Sequence, residues 1–177
     1  MVLVLNDKGD FAADGLRCDP LFVDDFSNSN LNKWTTYSVT GDQTWEVTSF
    51  GNPGPSAVMS GFSGGAVVNE DWLITKAIDM TSASTATLTF QTVKRYAGPD
   101  LELFMSTNYS GGNPNTDGNW IPLSAVLDTN TGSWSSWTNS GEVDVSAASG
   151  SQLYVAFKYK STSSAASTFE LDNVLVK

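Results

Sequence analysis

Short runs of alternating apolar and polar residues recur along the chain, separated by clusters of Gly, Asn, Asp, Ser and Pro. Residues 85–90 and 153–159 show a period of two, the spacing of side chains that share one face of a β-strand. The pattern predicts strands at 21–26, 36–39, 43–50, 56–60, 65–68, 72–74, 85–93, 101–107, 119–123, 141–144, 152–160 and 168–176. Only 79–83 and 146–150 could be helical, each for a single turn. So many strands with so little helix predict an all-β sandwich or jelly roll.

The length of 177 residues suits one domain with a short extension. Residues 1–20 differ in character from the rest of the chain, so we assign 1–20 to an N-terminal extension or the remnant of a preceding domain, and 21–177 to the sandwich. No run of 18 apolar residues exists, and residues 1–5 are too short an apolar stretch for a secretory signal. We therefore expect no membrane insertion by this segment and no export signal within it.

Charge and missing residue types exclude several functions. The chain has nine Lys and Arg against nineteen Asp and Glu, a net charge of −10, which repels nucleic-acid phosphates. It contains no histidine, the usual base of Ser and Cys triads and the commonest zinc ligand. Cys18 is the single cysteine, so no disulfide can form within the chain. We expect neither a nucleic-acid-binding protein nor a triad hydrolase.

Carboxylates interrupt two apolar strand patterns. Asp24 and Asp25 lie in 21–26, and Asp172 lies in 168–176. An unpaired buried carboxylate is costly, and cations to neutralise these are scarce. If the first and last strands of the sandwich are adjacent, the acids could share a cation, for which the oxygen-preferring calcium ion is the natural candidate. Alternation puts Asp24 and Asp25 on opposite faces, so only one should reach the ion; the alternative is that all three face solvent or are hydrogen-bonded.

A resemblance to a known family rests on three stretches in order. They are FVDDF at 22–26 followed by Trp34, NEDWLITKAIDM at 69–80, and FELDNV at 169–174. Together they resemble the choice-of-anchor J, or cleaved-adhesin, domains over about residues 21–177. Two positions depart from that family's pattern: Lys76 stands where a proline is usual, and Phe169 where a tryptophan is usual.

The resemblance implies a galactose-binding-like jelly roll, a β-sandwich of two antiparallel sheets. Such domains are non-catalytic modules of larger bacterial proteins, secreted or anchored at the outer-membrane surface, and related sandwiches hold a structural calcium ion where the first and last strands meet. Carried over to this chain, calcium ligands would be Asp24 or Asp25 together with Asp172. The partners implied are glycans or surface proteins of host or bacterium, beside the other domains of the parent chain.

Exposed aromatic rings are the groups with which sugar-binding modules stack on a pyranose ring. We place Trp34, Trp45, Trp72, Trp120 and Trp137 in the core, because they fall in strand-like or family-core positions. Trp134 lies in a polar, loop-like stretch and is the main candidate ligand contact; Tyr96 and Tyr109, near a glycine-rich loop, are the second choice. The alternative for Trp134 is ordinary packing.

These observations favour a non-catalytic extracellular module that recognises a glycan or a protein. A structural spacer without a ligand is the main alternative. A glycoside hydrolase is a further one, since it needs only two carboxylates about 5 to 9.5 Å apart and acids are plentiful.

Overall fold

The computed structural model describes residues 19–177 in full and, before them, only the backbone of two paired strands, β1 (Leu3–Leu5) and β2 (Phe11–Ala13). Most of the predicted extension at 1–20 therefore lies outside the described residues. The strands of the sandwich are β3 (Phe22–Asp24), β4 (Trp34–Thr40), β5 (Glu46–Thr48), β6 (Ser56–Ser60), β7 (Asn69–Thr75), β8 (Ile78–Asp79), β9 (Thr87–Arg95), β10 (Glu102–Ser106), β11 (Ile121–Leu123), β12 (Thr138–Asn139), β13 (Val143–Asp144), β14 (Gln152–Ser161) and β15 (Thr168–Val176).

These strands form two antiparallel sheets. The six-stranded sheet has the order β11-β10-β14-β7-β4, with β8 also paired to β14. The seven-stranded sheet has the order β12-β9-β15-β6-β5, with β13 also on β9 and β3 also on β15. The all-β prediction is confirmed, and so is the prediction that the first and last strands of the sandwich are neighbours, because β3 pairs with β15.

The core lies between the sheets, where alternate residues of each strand meet. Leu153, Val155 and Phe157 of β14 point into it, as do Phe169 and Leu171 of β15. Burying an aliphatic or phenyl side chain of this size stabilises the fold by about 1.5–3 kcal/mol. Every second residue of these strands therefore points into the core, which matches the period of two in the sequence.

Some predicted elements differ from the structure. The predicted strand at 65–68 is reduced to one isolated bridge between Phe62 and Ala66, because Gly64 adopts a φ of +70° that turns the chain there. Strand β9 extends beyond the predicted limit of 93, and β12 is a strand that the sequence did not predict. Of the two possible helical turns, 146–150 contains a 3-10 helix at Ser146–Ala148, whereas 79–83 contains a turn. In the described part of the chain no helix is long and apolar enough to cross a membrane.

Candidate functional site

A cleft on the outer face of the seven-stranded sheet collects several chemically useful side chains. On β9, Phe90 points into the core, so Val93 and Arg95 point outward. On β15, Phe169 points inward and Glu170 outward, directly beside Val93 in the register of the two strands. Val93, Arg95 and Glu170 form the floor of this cleft.

Two loops form its walls. Phe50 and Gly51, after β5, line one side, and Trp134, Ser135 and Trp137, before β12, line the other. The space enclosed is about 600 Å³, within the range of small-ligand pockets. The Phe50 side chain is 72% exposed and that of Trp134 41%, so both rings are open to a ligand. We call this site the Trp134 cleft.

The loop that carries Trp134 is held against β9 by hydrogen bonds. The buried Asp128 carboxylate accepts one from the Lys94 backbone N–H (2.8 Å) and one from the Ser135 hydroxyl (2.9 Å). The Asn130 side-chain amide donates to the Lys94 carbonyl oxygen at 3.1 Å. Since Asp128 and Asn130 fix this loop on both sides of Lys94, the Trp134 ring is presented in a preformed position.

Arg95 is stacked between aromatic rings at one end of the cleft. Its guanidinium carbon lies 4.3 Å from the centre of the Tyr96 ring and 5.7 Å from that of Trp134, distances at which cations are attracted to aromatic faces. The buried Nε atom has no hydrogen-bond partner among the described residues. Tyr96 is 44% exposed and adopts a φ of +68° as β9 ends, an uncommon conformation for a residue with a side chain. Arg95 thus holds its guanidinium between two aromatic rings at the end of the cleft.

Glu170 is the acidic group of the cleft. The residue is only 7% exposed. Burial raises the pKa of the Glu170 carboxyl, and the nearby charge of Asp172 raises it further. A carboxyl group in this position can accept hydrogen bonds from ligand hydroxyls when it is ionised and donate one when it is protonated.

Of the predicted ligand contacts, Tyr109 is buried, whereas an exposed ring was expected. It is 4% exposed, its ring packs against those of Trp120 (5.3 Å) and Tyr154 (5.6 Å), and its hydroxyl donates to the Gly112 carbonyl oxygen. This packing lies on the outer face of the other sheet and leaves no ring face for a sugar. Trp134 and Tyr96 are exposed near Arg95, so they remain candidates.

Two further tryptophans differ from their predicted core positions. Trp34, Trp45 and Trp72 are buried, as predicted, but Trp120 is half-buried. Trp137 is also half-buried and lines the Trp134 cleft. The polar residues around Trp137 in the sequence, Ser135 and Ser136 among them, were a signal that it lies on a loop above the sheet.

The terminal-strand carboxylates lie along the pairing of β3 with β15. Asp24 is opposite Val174 of β15 and points inward. One of its oxygens accepts a hydrogen bond from the Trp34 indole N–H (2.7 Å), the other accepts from the Phe26 backbone N–H (3.2 Å), and Lys33 Nζ lies 3.6 Å away. Asp24 is thus the member of the Asp24–Asp25 pair that enters the interior.

Asp172 lies at a β-bulge, where the register of β15 with β9 shifts. Its carboxylate accepts hydrogen bonds from the backbone N–H groups of Asn52 (2.6 Å) and Asn173 (2.7 Å). Burial raises the pKa of Asp172 despite these bonds, and the charges of Asp25 and Asp24 add to the rise. The negative charges of this region are therefore only partly compensated.

Asp25 is exposed, and one of its oxygens accepts hydrogen bonds from the Ser27 backbone N–H (3.1 Å) and hydroxyl (2.7 Å). Within the described residues, no three acidic, His or Cys side chains converge as metal ligands. The calcium site expected at Asp24 or Asp25 together with Asp172 stays a prediction. The two buried carboxylates, Asp24 and Asp172, have the donor chemistry that calcium prefers, with backbone oxygens as the remaining ligands.

Comparison with known proteins identifies the family. Residues 24–177 match the model of a family described as a domain of unknown function, DUF5017. The chain belongs to this family. The match begins at Asp24 and covers the whole sandwich from there, Trp134 cleft included. A search of curated proteins found no match.

Solved structures with the same fold include cleaved adhesin domains of Lys-gingipain from Porphyromonas gingivalis. The K1 domain is 20% identical, with a TM-score of 0.59, over 88% of this chain and 96% of that one. The K3 domain is 16% identical, with a TM-score of 0.63, over 89% of this chain and 99% of that one. The CBM22-2 xylan-binding domain of Paenibacillus barcinonensis Xyn10C is 15% identical, with a TM-score of 0.53, over 89% of this chain and 98% of that one. The resemblance to cleaved-adhesin domains is confirmed for the fold; membership in the choice-of-anchor J family stays a prediction.

Proposed function

We propose that this domain is a non-catalytic glycan-binding module of a larger bacterial protein, outside the cell or on its outer surface, and that the Trp134 cleft is its binding site. The observation that carries the proposal is the combination of open aromatic rings with a guanidinium in a preformed cleft. Domains named for adhesion and for xylan binding share the fold, which supports a binding role.

The chemistry of the cleft suits a sugar. The apolar C–H face of a pyranose packs on exposed rings such as Trp134 and Phe50, while its hydroxyl groups need donors and acceptors. Arg95 offers donors and Glu170 an acceptor on the floor between the walls. A few polar groups among apolar walls are the usual composition of a small-molecule site.

A hydrolytic role has less support. A glycosidase needs a pair of carboxylates across the scissile bond, and Glu170 is the one acid among the residues that line the cleft. Asp172, two residues further along β15, is fully buried and accepts two backbone hydrogen bonds. The cleft is therefore better suited to holding a sugar than to cleaving it.

Titration calorimetry with soluble plant and bacterial oligosaccharides tests this proposal. We expect millimolar to micromolar binding by the wild type and at least a tenfold loss in Trp134→Ala, since stacked aromatic residues dominate such interfaces. Phe62→Ala is the control, because Phe62 is also an exposed aromatic residue, at 60%, but does not line the cleft. Equal losses in both variants, or none in either, would argue for a spacer or a protein-binding module instead.

Calcium at the terminal strands is the second part of the proposal, with Asp24 and Asp172 as side-chain ligands. An ion that binds only the folded state stabilises it by mass action. We expect EDTA to lower the melting temperature by several degrees, and Asp172→Asn to reduce that loss. Asp25→Asn is the control, because Asp25 is exposed and should leave the calcium effect unchanged. An unchanged melting curve after metal removal, verified by elemental analysis, would refute this part without touching the glycan site.

A further inference from the structure

A second uncompensated charge lies between the two sheets, away from the terminal strands. Asp71 is the third residue of β7, and its neighbours in register are Tyr159 of β14 and Ser38 of β4. Leu73, two residues on, points into the core, so Asp71 faces the core as well. The residue is 0% exposed.

Three buried oxygen atoms at this position have no hydrogen-bond partner among the described residues. They are both carboxylate oxygens of Asp71 and the side-chain oxygen of Asn69, which is 2% exposed and lies on the same face of β7. The Asn69 amide nitrogen is used, since it donates to Gln43 Oε1 at 3.1 Å. Native proteins almost always satisfy such groups, so three acceptors without a donor indicate a missing partner.

The side chains around Asp71 direct their protons elsewhere. The Tyr159 hydroxyl donates to the Ser167 carbonyl oxygen at 2.6 Å. The Trp45 indole N–H donates to the backbone oxygen of Asp71, 3.4 Å away, rather than to its carboxylate. The Ser38 hydroxyl donates to the Gly41 carbonyl oxygen at 3.2 Å. None of these three donors forms a hydrogen bond to the Asp71 carboxylate, although the Ser38 hydroxyl is close enough to act on its pKa.

Nearby cations do not neutralise Asp71 either. Lys158 and Lys160 flank Tyr159 on β14 and therefore point to the outer face, where they pair with Glu70 (3.0 Å) and Glu102 (2.9 Å). Without a partner, burial raises the pKa of Asp71 to about 6; the charge of Glu70 contributes in the same direction, and Ser38 partly offsets the rise.

The backbone approaches this position closely at Gly41. A Cβ atom built there would lie 1.8 Å from the Asn69 side-chain oxygen and 2.8 Å from the Val68 backbone oxygen, and the φ of Gly41 is +96°. Only glycine allows the 41–43 loop to close over these oxygens. Gly41 therefore packs directly on the Asn69 side-chain oxygen and the Val68 carbonyl oxygen, beside the strand that carries Asp71.

We propose that Asp71 and Asn69 bind a hard, oxygen-coordinated metal cation between the sheets, for which Ca²⁺ is the probe. The ligand types are those that calcium takes in proteins, and two residues apart on one face of a strand is a spacing that one ion can span. This site is separate from the carboxylates of β3 and β15, because β7 belongs to the other sheet.

The test measures bound calcium and the calcium-dependent rise in melting temperature in four proteins: wild type, Asp172→Asn, Asp71→Asn and the double variant. The Asp172→Asn variant removes the proposed terminal-strand site and leaves this one. We expect it to keep one bound calcium and a rise of several degrees, and the double variant to lose both. If Asp71→Asn binds as much calcium and gains as much as the wild type, or if the wild type binds no calcium, the inference is overturned.

The same variants separate a metal from a proton. Asn mimics a protonated Asp. If Asp71 is a buried neutral acid rather than a metal ligand, Asp71→Asn is expected to be more stable than the wild type both with calcium and with EDTA. That result also overturns the inference. Should the variant fail to fold, Tb³⁺ replaces it as a probe. Excitation of tryptophan in the Asp172→Asn protein is expected to sensitise Tb³⁺ emission that Trp45→Phe strongly reduces and Trp34→Phe does not. Emission that follows Trp34 instead contradicts the assignment.

Discussion

The two outer faces of the sandwich are both rich in aromatic residues, yet their loops are arranged differently. On the six-stranded sheet, Trp72 and Phe104 pack with Tyr109, Trp120 and Tyr154, which together we call the outer-face aromatic cluster. The loop between β10 and β11 covers it. On the seven-stranded sheet, loops stand on either side of the strands and leave a space between them. An aromatic count does not distinguish packing from recognition; the position of the loops does.

Hydrogen bonds explain why the 110–120 loop covers its sheet, whereas the loop that carries Trp134 leaves a cleft. Asp117 accepts bonds from the Ser110 hydroxyl (2.9 Å) and the Gly112 backbone N–H (2.6 Å), and its carbonyl oxygen accepts one from the Trp120 indole at 3.0 Å. These contacts draw 110–120 into a compact cap on the sheet. Asp128, by contrast, ties its loop to the Lys94 backbone of β9, so Trp134 forms a wall of the cleft and leaves the floor open.

Removal of Trp72 gives the largest expected effect on this comparison. Trp72 is buried against Phe104 (5.3 Å) and Trp120 (5.4 Å), and truncation of buried tryptophan typically costs about 3–5 kcal/mol. We expect urea denaturation of Trp72→Ala to show this loss, while the folded fraction keeps its glycan affinity. If affinity falls with stability, the two faces are not independent.

Release of the Trp134 loop is the next test. Asp128→Ala leaves the Lys94 backbone N–H without its acceptor, at a cost of about 1–3 kcal/mol. Since the loop is no longer held, we expect glycan affinity to fall as well, in calorimetry alongside chemical denaturation. Asp100→Ala is the control, because Asp100 pairs with the Lys94 ammonium group rather than its backbone. Full affinity in Asp128→Ala would show that the cleft does not need a fixed loop.

Tyr109 gives a smaller and opposite result. Tyr109→Phe removes the hydroxyl that donates to the Gly112 carbonyl oxygen, a bond worth about 1 kcal/mol. We expect stability to fall by about that amount and glycan binding to be unchanged, whereas Tyr96→Phe should leave stability unchanged. Loss of binding in Tyr109→Phe would restore Tyr109 as a ligand contact.

The smallest effect is a pH dependence at Asp117. Hydrogen bonds, first that from the Gly112 backbone N–H, lower the pKa of the Asp117 carboxyl. A lowered folded-state pKa means that its stabilising contribution is present above the unfolded pKa and is lost as pH falls through the folded value. We expect Asp117→Asn to melt slightly below the wild type at neutral pH and the gap to close in strong acid. A gap that stays the same from neutral pH to strong acid would contradict the assignment to Asp117.

The sequence predicts the sheets well because burial on a strand repeats every second residue, as at 153–159. It also predicts that β3 lies beside β15 and that Trp134 is exposed, since resemblance and polar neighbours carry that information. It does not predict the burial of Tyr109, which depends on a loop folded by Asp117. Nor does it predict the cleft, because Phe50, Trp134 and Glu170 come from distant segments and meet only when the sheet is assembled.

The central place of β15 in its sheet has a consequence for the order of folding. Strands β9, β6 and β3 all pair with β15 and, at their β15-facing edges, with no other strand, although they precede it by long stretches of chain. The segments β5–β6, β9 with β12 and β13, and β3 therefore cannot join into one sheet until residues 168–176 have been synthesised. Pairings between such remote segments form slowly. The seven-stranded sheet is thus expected to be completed in one late step, after its last strand has been made.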